Sequence, residues 1–130
     1  MATRTPLRVT FAALALVVFA GGCGGSGSPA PDSTLPPDAG LVVTAVPSIR
    51  FDTSTYTVAA GDVKVAYVNN DTVRHTLVVV KDGMKVPNFK LDIAKKGALD
   101  VGTVNLAAGE YTLICDVPGH QNMKATLTVN

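Results

Sequence analysis

A chain of 130 residues, 47% apolar and 16% charged, has enough hydrophobic material for one small core and is not a disordered segment. Eleven Lys and Arg against ten Asp and Glu leave no basic excess to attract a phosphate backbone. With four Phe, three Tyr and no Trp there is little surface for stacking bases or sugars, so nucleic acid is not an expected partner.

The first 22 residues read as an export signal. Arg4 and Arg8 give a positive start, residues 9–20 form an uncharged apolar run, and Gly21-Gly22-Cys23 closes it with small side chains. A membrane-spanning helix needs about 20 apolar residues, and this run falls short of that without the glycines that follow. The small-small-Cys ending resembles the lipobox of bacterial lipoproteins, although Ala20 stands where that motif usually has Leu. The resemblance implies that Cys23 is acylated and that the protein is extracytoplasmic, anchored to the outer face of the cell membrane. Cleavage by a simple signal peptidase near Gly22 is the alternative.

Residues 23–40 form the lipidated Cys and a Gly/Ser/Pro-rich linker, with almost no apolar side chain large enough to hold on to a core. Such a coil reaches roughly 20 Å on average and about 50 Å when extended, so it acts as a tether. From residue 41 to 130 the pattern is one of short strands separated by turn residues, with no convincing helical period. Strands are expected over 41–46, 55–58, 63–69, 75–80, 99–104, 111–115 and 124–129. The breaks between them fall at Ala60-Gly61-Asp62, Asn69-Asn70-Asp71, Asp82-Gly83, Lys96-Gly97 and Ala108-Gly109. About seven strands at this spacing make an all-β sandwich. Residues 84–95 are the least regular and are expected to carry a short helix or a loop. Tyr111, Leu113 and Cys115 share one strand face, which points Cys115 inward. Asn70-Asp71-Thr72 matches a glycosylation sequon, but its composition is that of a turn.

Only two cysteines occur, Cys23 and Cys115. If Cys23 carries lipid, the two do not pair, and Cys115 is a lone thiol outside the cytosol, where an unprotected one is oxidised. A metal is a good reason to keep it. Both histidines of the chain, His75 and His120, accompany it, and Cys115, His120 and Met123 fall within nine residues. Taken singly, a His after a turn, an inward Cys and a Met before a strand are ordinary structural residues. Together, two imidazoles, a thiolate and a thioether are the donor set of a mononuclear electron-transfer copper site. Thiolate and thioether suit Cu(I), imidazole suits both oxidation states, and a rigid frame keeps reorganisation small.

At these residues the chain resembles the cupredoxins, the plastocyanin, azurin and auracyanin group of small type 1 blue copper proteins. The likeness rests on Asn69-Asn70-Asp71-Thr72-Val73-Arg74-His75-Thr76 before an apolar strand and on the run from Ala108 through Cys115-Asp116-Val117-Pro118-Gly119-His120 to Met123. It implies a Greek-key β-sandwich, one copper ion, His75, Cys115 and His120 as equatorial ligands and Met123 as the axial one. Only Gln121 and Asn122 separate His120 from Met123, fewer than in related loops, and the backbone carbonyl of Arg74 is the other candidate for the axial position. Thr76 stands where many relatives have an Asn that braces the thiolate, so a hydroxyl or a backbone donor has to replace it.

The function this implies is one-electron transfer, not catalysis. The expected partners are cytochromes, membrane electron-transfer complexes or copper oxidases, met by a monomer at His120 among Val117, Pro118 and Gly119. Copper capture or delivery is the alternative, although delivery proteins tend to display Met- and His-rich ligands. A multicopper enzyme needs further histidines, which the chain lacks, and a binuclear copper site needs a second Cys in the same loop.

Overall fold

The computed structural model describes residues 34–130; the export signal, Cys23 and the first part of the linker lie outside the described residues. Alternation of side chains builds the strands. In β1 (Leu41–Val46), Leu41, Val43 and Ala45 are buried while Val42 faces out. In β10 (Lys124–Val129), Ala125, Leu127 and Val129 are buried while Lys124 and Thr128 are exposed. Between them lie β2 (Arg50–Phe51), β3 (Thr55–Val58), β4 (Gly61–Asn69), β5 (His75–Lys81), β6 (Met84–Lys85), β7 (Leu91–Ile93), β8 (Leu99–Leu106) and β9 (Gly109–Ile114). No helix occurs among the described residues.

Two sheets face each other. One has the order β2-β1-β4-β8, and the other β3-β10-β9-β5-β6 with β7 also paired to β5. The β1–β4 and β3–β10 pairs are parallel, whereas β4–β8, β9–β10 and β5–β9 are antiparallel. The chain crosses repeatedly from one sheet to the other, the connectivity of a Greek-key sandwich. Leu77, Leu113 and Leu127 are 0% exposed, and each contributes roughly 1.5–3 kcal/mol by leaving water.

The expected strands are all present, several a residue or two longer or shorter, and β2, β6 and β7 add to them. Residues 84–95 hold no helix: β6 closes a hairpin on β5, and β7 lies along the opening residues of β5. The hairpin turn is Asp82-Gly83, with φ of 50° and 79°, the left-handed pair that a tight two-residue connection requires. The last linker residues meet the domain, since Lys64 Nζ lies 2.8 Å from an Asp38 carboxylate oxygen and the Gly40 N–H donates to the Lys64 carbonyl.

Two connections at one end of the sandwich position the site. Residues 70–74 join β4 to β5 and deliver His75 as the first residue of β5. Residues 115–123 join β9 to β10.

Candidate metal centre

Asn69 organises the first connection. It is fully buried, its side-chain amide donates to the carbonyls of Val73 and Ile93, and its Oδ1 accepts the Asp71 N–H at 2.8 Å. That fixes Asp71, whose Oδ1 accepts the Thr72 N–H at 2.7 Å and whose Oδ2 lies 3.2 Å from His75 Nε2. The Thr72 N–H, with the imidazole behind it, holds the Asp71 carboxyl below the usual carboxylate range. Burial pushes the His75 imidazole down, against the opposing pull of Asp71, which favours the neutral ring that binds metals. With Nε2 committed to Asp71, the other ring nitrogen, Nδ1, is buried and has no hydrogen-bond partner among the described residues.

The second connection is a pair of tight turns. The His120 N–H donates to the Val117 carbonyl at 3.0 Å around Pro118 and Gly119, and Gly119 has φ of 90°. Proline at the first central position and a left-handed glycine at the second make this a type II turn. The Met123 N–H then donates to the His120 carbonyl at 2.9 Å, and the Cys115 N–H to the Met123 carbonyl at 3.2 Å. Gln121 and Asn122 are thus the two central residues of a second turn, and the short spacing brings Met123 level with Cys115. Met123 is 1% exposed, in the core cluster that includes Cys115.

The outcome is a convergence of donors. One ligand atom each from His75, Cys115 and His120 lie within 4.8 Å of one another. Cys115 Sγ is 3.5 Å from His120 Nδ1, and the two imidazole centroids are 5.0 Å apart. His75 and Cys115 are buried, whereas His120 is partly exposed beside the exposed Pro118 and Gly119. A buried ring nitrogen without a partner is costly unless something occupies it. Grouped with a soft sulfur and a second imidazole, such a ring fits copper.

Thr76, in place of the expected Asn, braces the sulfur with its backbone: its N–H points at Cys115 Sγ at 3.4 Å. Its hydroxyl goes elsewhere, donating to Asp116 Oδ1 at 2.7 Å and accepting the Asp116 N–H at 3.0 Å. Asp116 is held further by Lys85 and Lys90, at 2.9 and 3.1 Å from Oδ2, and these contacts, led by the Thr76 hydroxyl, keep its carboxyl far below the ordinary range.

Residues 40–130 match the family described as copper binding proteins, plastocyanin/azurin family. The chain belongs to this family. Copper is accordingly its cofactor, and as a plastocyanin/azurin family member it is a copper-binding electron carrier in class, not an enzyme. A search of curated protein sequences gives no match.

Solved structures share the fold. An auracyanin from Roseiflexus castenholzii superposes with a TM-score of 0.58 at 20% identity, covering 69% of this chain and 95% of its own. The azurin Az-iso2 from Methylomonas sp. strain J gives 0.58 at 17%, covering 68% and 95%. A purple cupredoxin from Nitrosopumilus maritimus gives 0.55 at 16%, covering 69% and 99%.

Against the sequence reading, His75, Cys115 and His120 come together as expected, Met123 is buried beside Cys115, and Cys23 lies outside the described residues. Arg74 is exposed, and its guanidinium pairs with Asp92, with Nε 2.9 Å from Oδ1. In the sequence Asp71 reads only as a turn residue, and nothing there marks Asp116. A carboxylate four residues before a turn-anchored His was the one available signal for Asp71.

Proposed function

We propose that this protein is an exported one-electron carrier, anchored through lipidated Cys23, that holds a single copper ion through His75, Cys115 and His120 with Met123 as axial ligand. Bound copper supplies a one-electron couple between Cu(I) and Cu(II). The observation that carries the reading is the buried, unpartnered His75 Nδ1 beside Cys115 Sγ and His120, each held from outside the donor set.

The residues divide the work. Asp71 fixes the tautomer and direction of the His75 ring, the Thr76 N–H steadies the sulfur, and the Val117–His120 turn sets His120 at the surface. Burial of His75 and Cys115 excludes water and makes metal exchange slow, which favours carriage over delivery. Val117, Pro118 and Gly119, the turn that carries His120, offer a small apolar surface on which weak, short-lived docking suits turnover. The partners proposed are cytochromes, membrane electron-transfer complexes or copper oxidases, reached from the membrane by the linker.

Mixing the reduced protein with an oxidised cytochrome and, separately, with a copper chelator tests this reading. Fast electron transfer with slow copper loss is expected; rapid copper loss with sluggish electron transfer points to delivery. Cys23→Ala should release the protein from the membrane fraction with copper binding intact, and a Cys23–Cys115 disulfide in the mature protein contradicts the anchoring.

A further inference from the structure

The hydroxyl of Thr76 lies 3.6 Å from Cys115 Sγ, close to hydrogen-bonding reach of a thiolate. A hydroxyl has one proton to give, and a thiolate has none. In this protein that proton is spent on Asp116 Oδ1 at 2.7 Å, so the sulfur receives the Thr76 N–H alone. The register of β5 with β9 explains the geometry. Val78 faces Ile114, and the same pairing extended two residues sets Thr76 level with Asp116. Asp116 is fixed there by Lys85 and Lys90, which reach it from the β6 strand and the segment behind it.

We infer that Asp116 is a positioning residue that withholds the Thr76 hydroxyl from Cys115, leaving the thiolate the acceptor of one hydrogen bond and keeping the copper potential low. A hydrogen bond to a metal-bound sulfur withdraws charge from it and weakens its donation to the oxidised ion, so hydrogen bonding around this sulfur tunes the potential. Lys85 and Lys90 act through the carboxylate: they hold it in place where it accepts the hydroxyl proton. The inference rests on Cys115 being a copper ligand.

A double-mutant cycle on the full chain separates the hydroxyl from the bare charge of Asp116. The reduction potential is measured for the wild type, Asp116→Ala, Thr76→Val and the double variant. Asp116→Ala should raise the potential and shift the sulfur-to-copper absorption band. Made on top of Thr76→Val, the same change should raise the potential by a clearly smaller amount, because no hydroxyl is left to turn. Equal shifts in both backgrounds overturn the inference, leaving Asp116 a charge alone. A wild type without the intense band overturns the ligand assignment beneath it. A crystal structure of copper-free Asp116→Ala supplies the independent readout. The Thr76 Oγ1 to Cys115 Sγ distance should contract from 3.6 Å, and an unchanged distance with the hydroxyl turned away contradicts the inference.

Discussion

Asp71 Oδ2 lies 3.2 Å from His75 Nε2, and this contact leaves Nδ1 of the same buried ring free to face Cys115 and His120. The pair sits outside the donor set yet decides which nitrogen enters it. Removing such a partner from a ligating His typically costs 10–100-fold in metal affinity. Asp71→Ala should weaken copper binding by about that factor, read by competition with a chelator. Asp71→Asn, which keeps an acceptor oxygen, should lose less. Unchanged affinity in Asp71→Ala would mean that the His75 ring is fixed by burial alone.

Met123 is returned to Cys115 by the turn at Gln121-Asn122 and is almost wholly buried. Met123→Leu conserves volume and should leave the fold and the colour largely intact. It should raise the reduction potential, since a weak donor that favours Cu(II) is removed. A potential that does not move would show that the thioether is not the axial ligand, and would turn attention to the Arg74 carbonyl.

Tyr67 is fully buried and its hydroxyl has no hydrogen-bond partner among the described residues, with burial, and next the charge of Cys115, pushing its pKa up. An unsatisfied buried hydroxyl costs stability that a phenylalanine does not. Tyr67→Phe should therefore leave the stability of the copper-free protein unchanged or raise it by about 1 kcal/mol, measured by urea unfolding. A loss of more than about 1 kcal/mol would reveal a partner for the hydroxyl, such as an ordered water.

Acid should destabilise the copper-free protein through carboxylates. Arg74 lowers the Asp92 pKa below its ordinary 3.8, and the Thr76 hydroxyl with Lys85 and Lys90 lowers that of Asp116. A depressed folded-state pKa means the unfolded chain binds more protons in acid. The stabilisation is thus present above 3.8 and is lost as pH falls through the folded values. The urea midpoint should drop between neutral pH and about pH 3, and drop less in Asp116→Ala. Both pairs are partly exposed, so high salt should blunt the effect of the Arg74–Asp92 pair in particular. A pH-independent midpoint contradicts this assignment.

The strands that alternate strongly were legible because one face of each packs on the core. This holds for β1 with Leu41, Val43 and Ala45 inward and for β10 with Ala125, Leu127 and Val129 inward. Residues 84–93 were not, since β6 and β7 are two- and three-residue pieces whose pairing with β5 comes from tertiary register. The donor triad was legible because copper demands scarce residue types, and this chain has only two histidines and two cysteines to give. Asp71 and Asp116 were hidden for the opposite reason. Aspartate is common in turns, and its bond to His75 or Thr76 exists only once β4, β5 and β9 have met.

The most direct measurement is the visible absorption spectrum of the chain loaded with copper, beside that of Cys115→Ser. Cys115 Sγ within ligand reach of His75 and His120 predicts a single bound copper with an intense sulfur-to-copper band when oxidised, and no such band in the serine variant. A coloured Cys115→Ser protein, or a wild type that takes up zinc and never copper, would contradict the site described here.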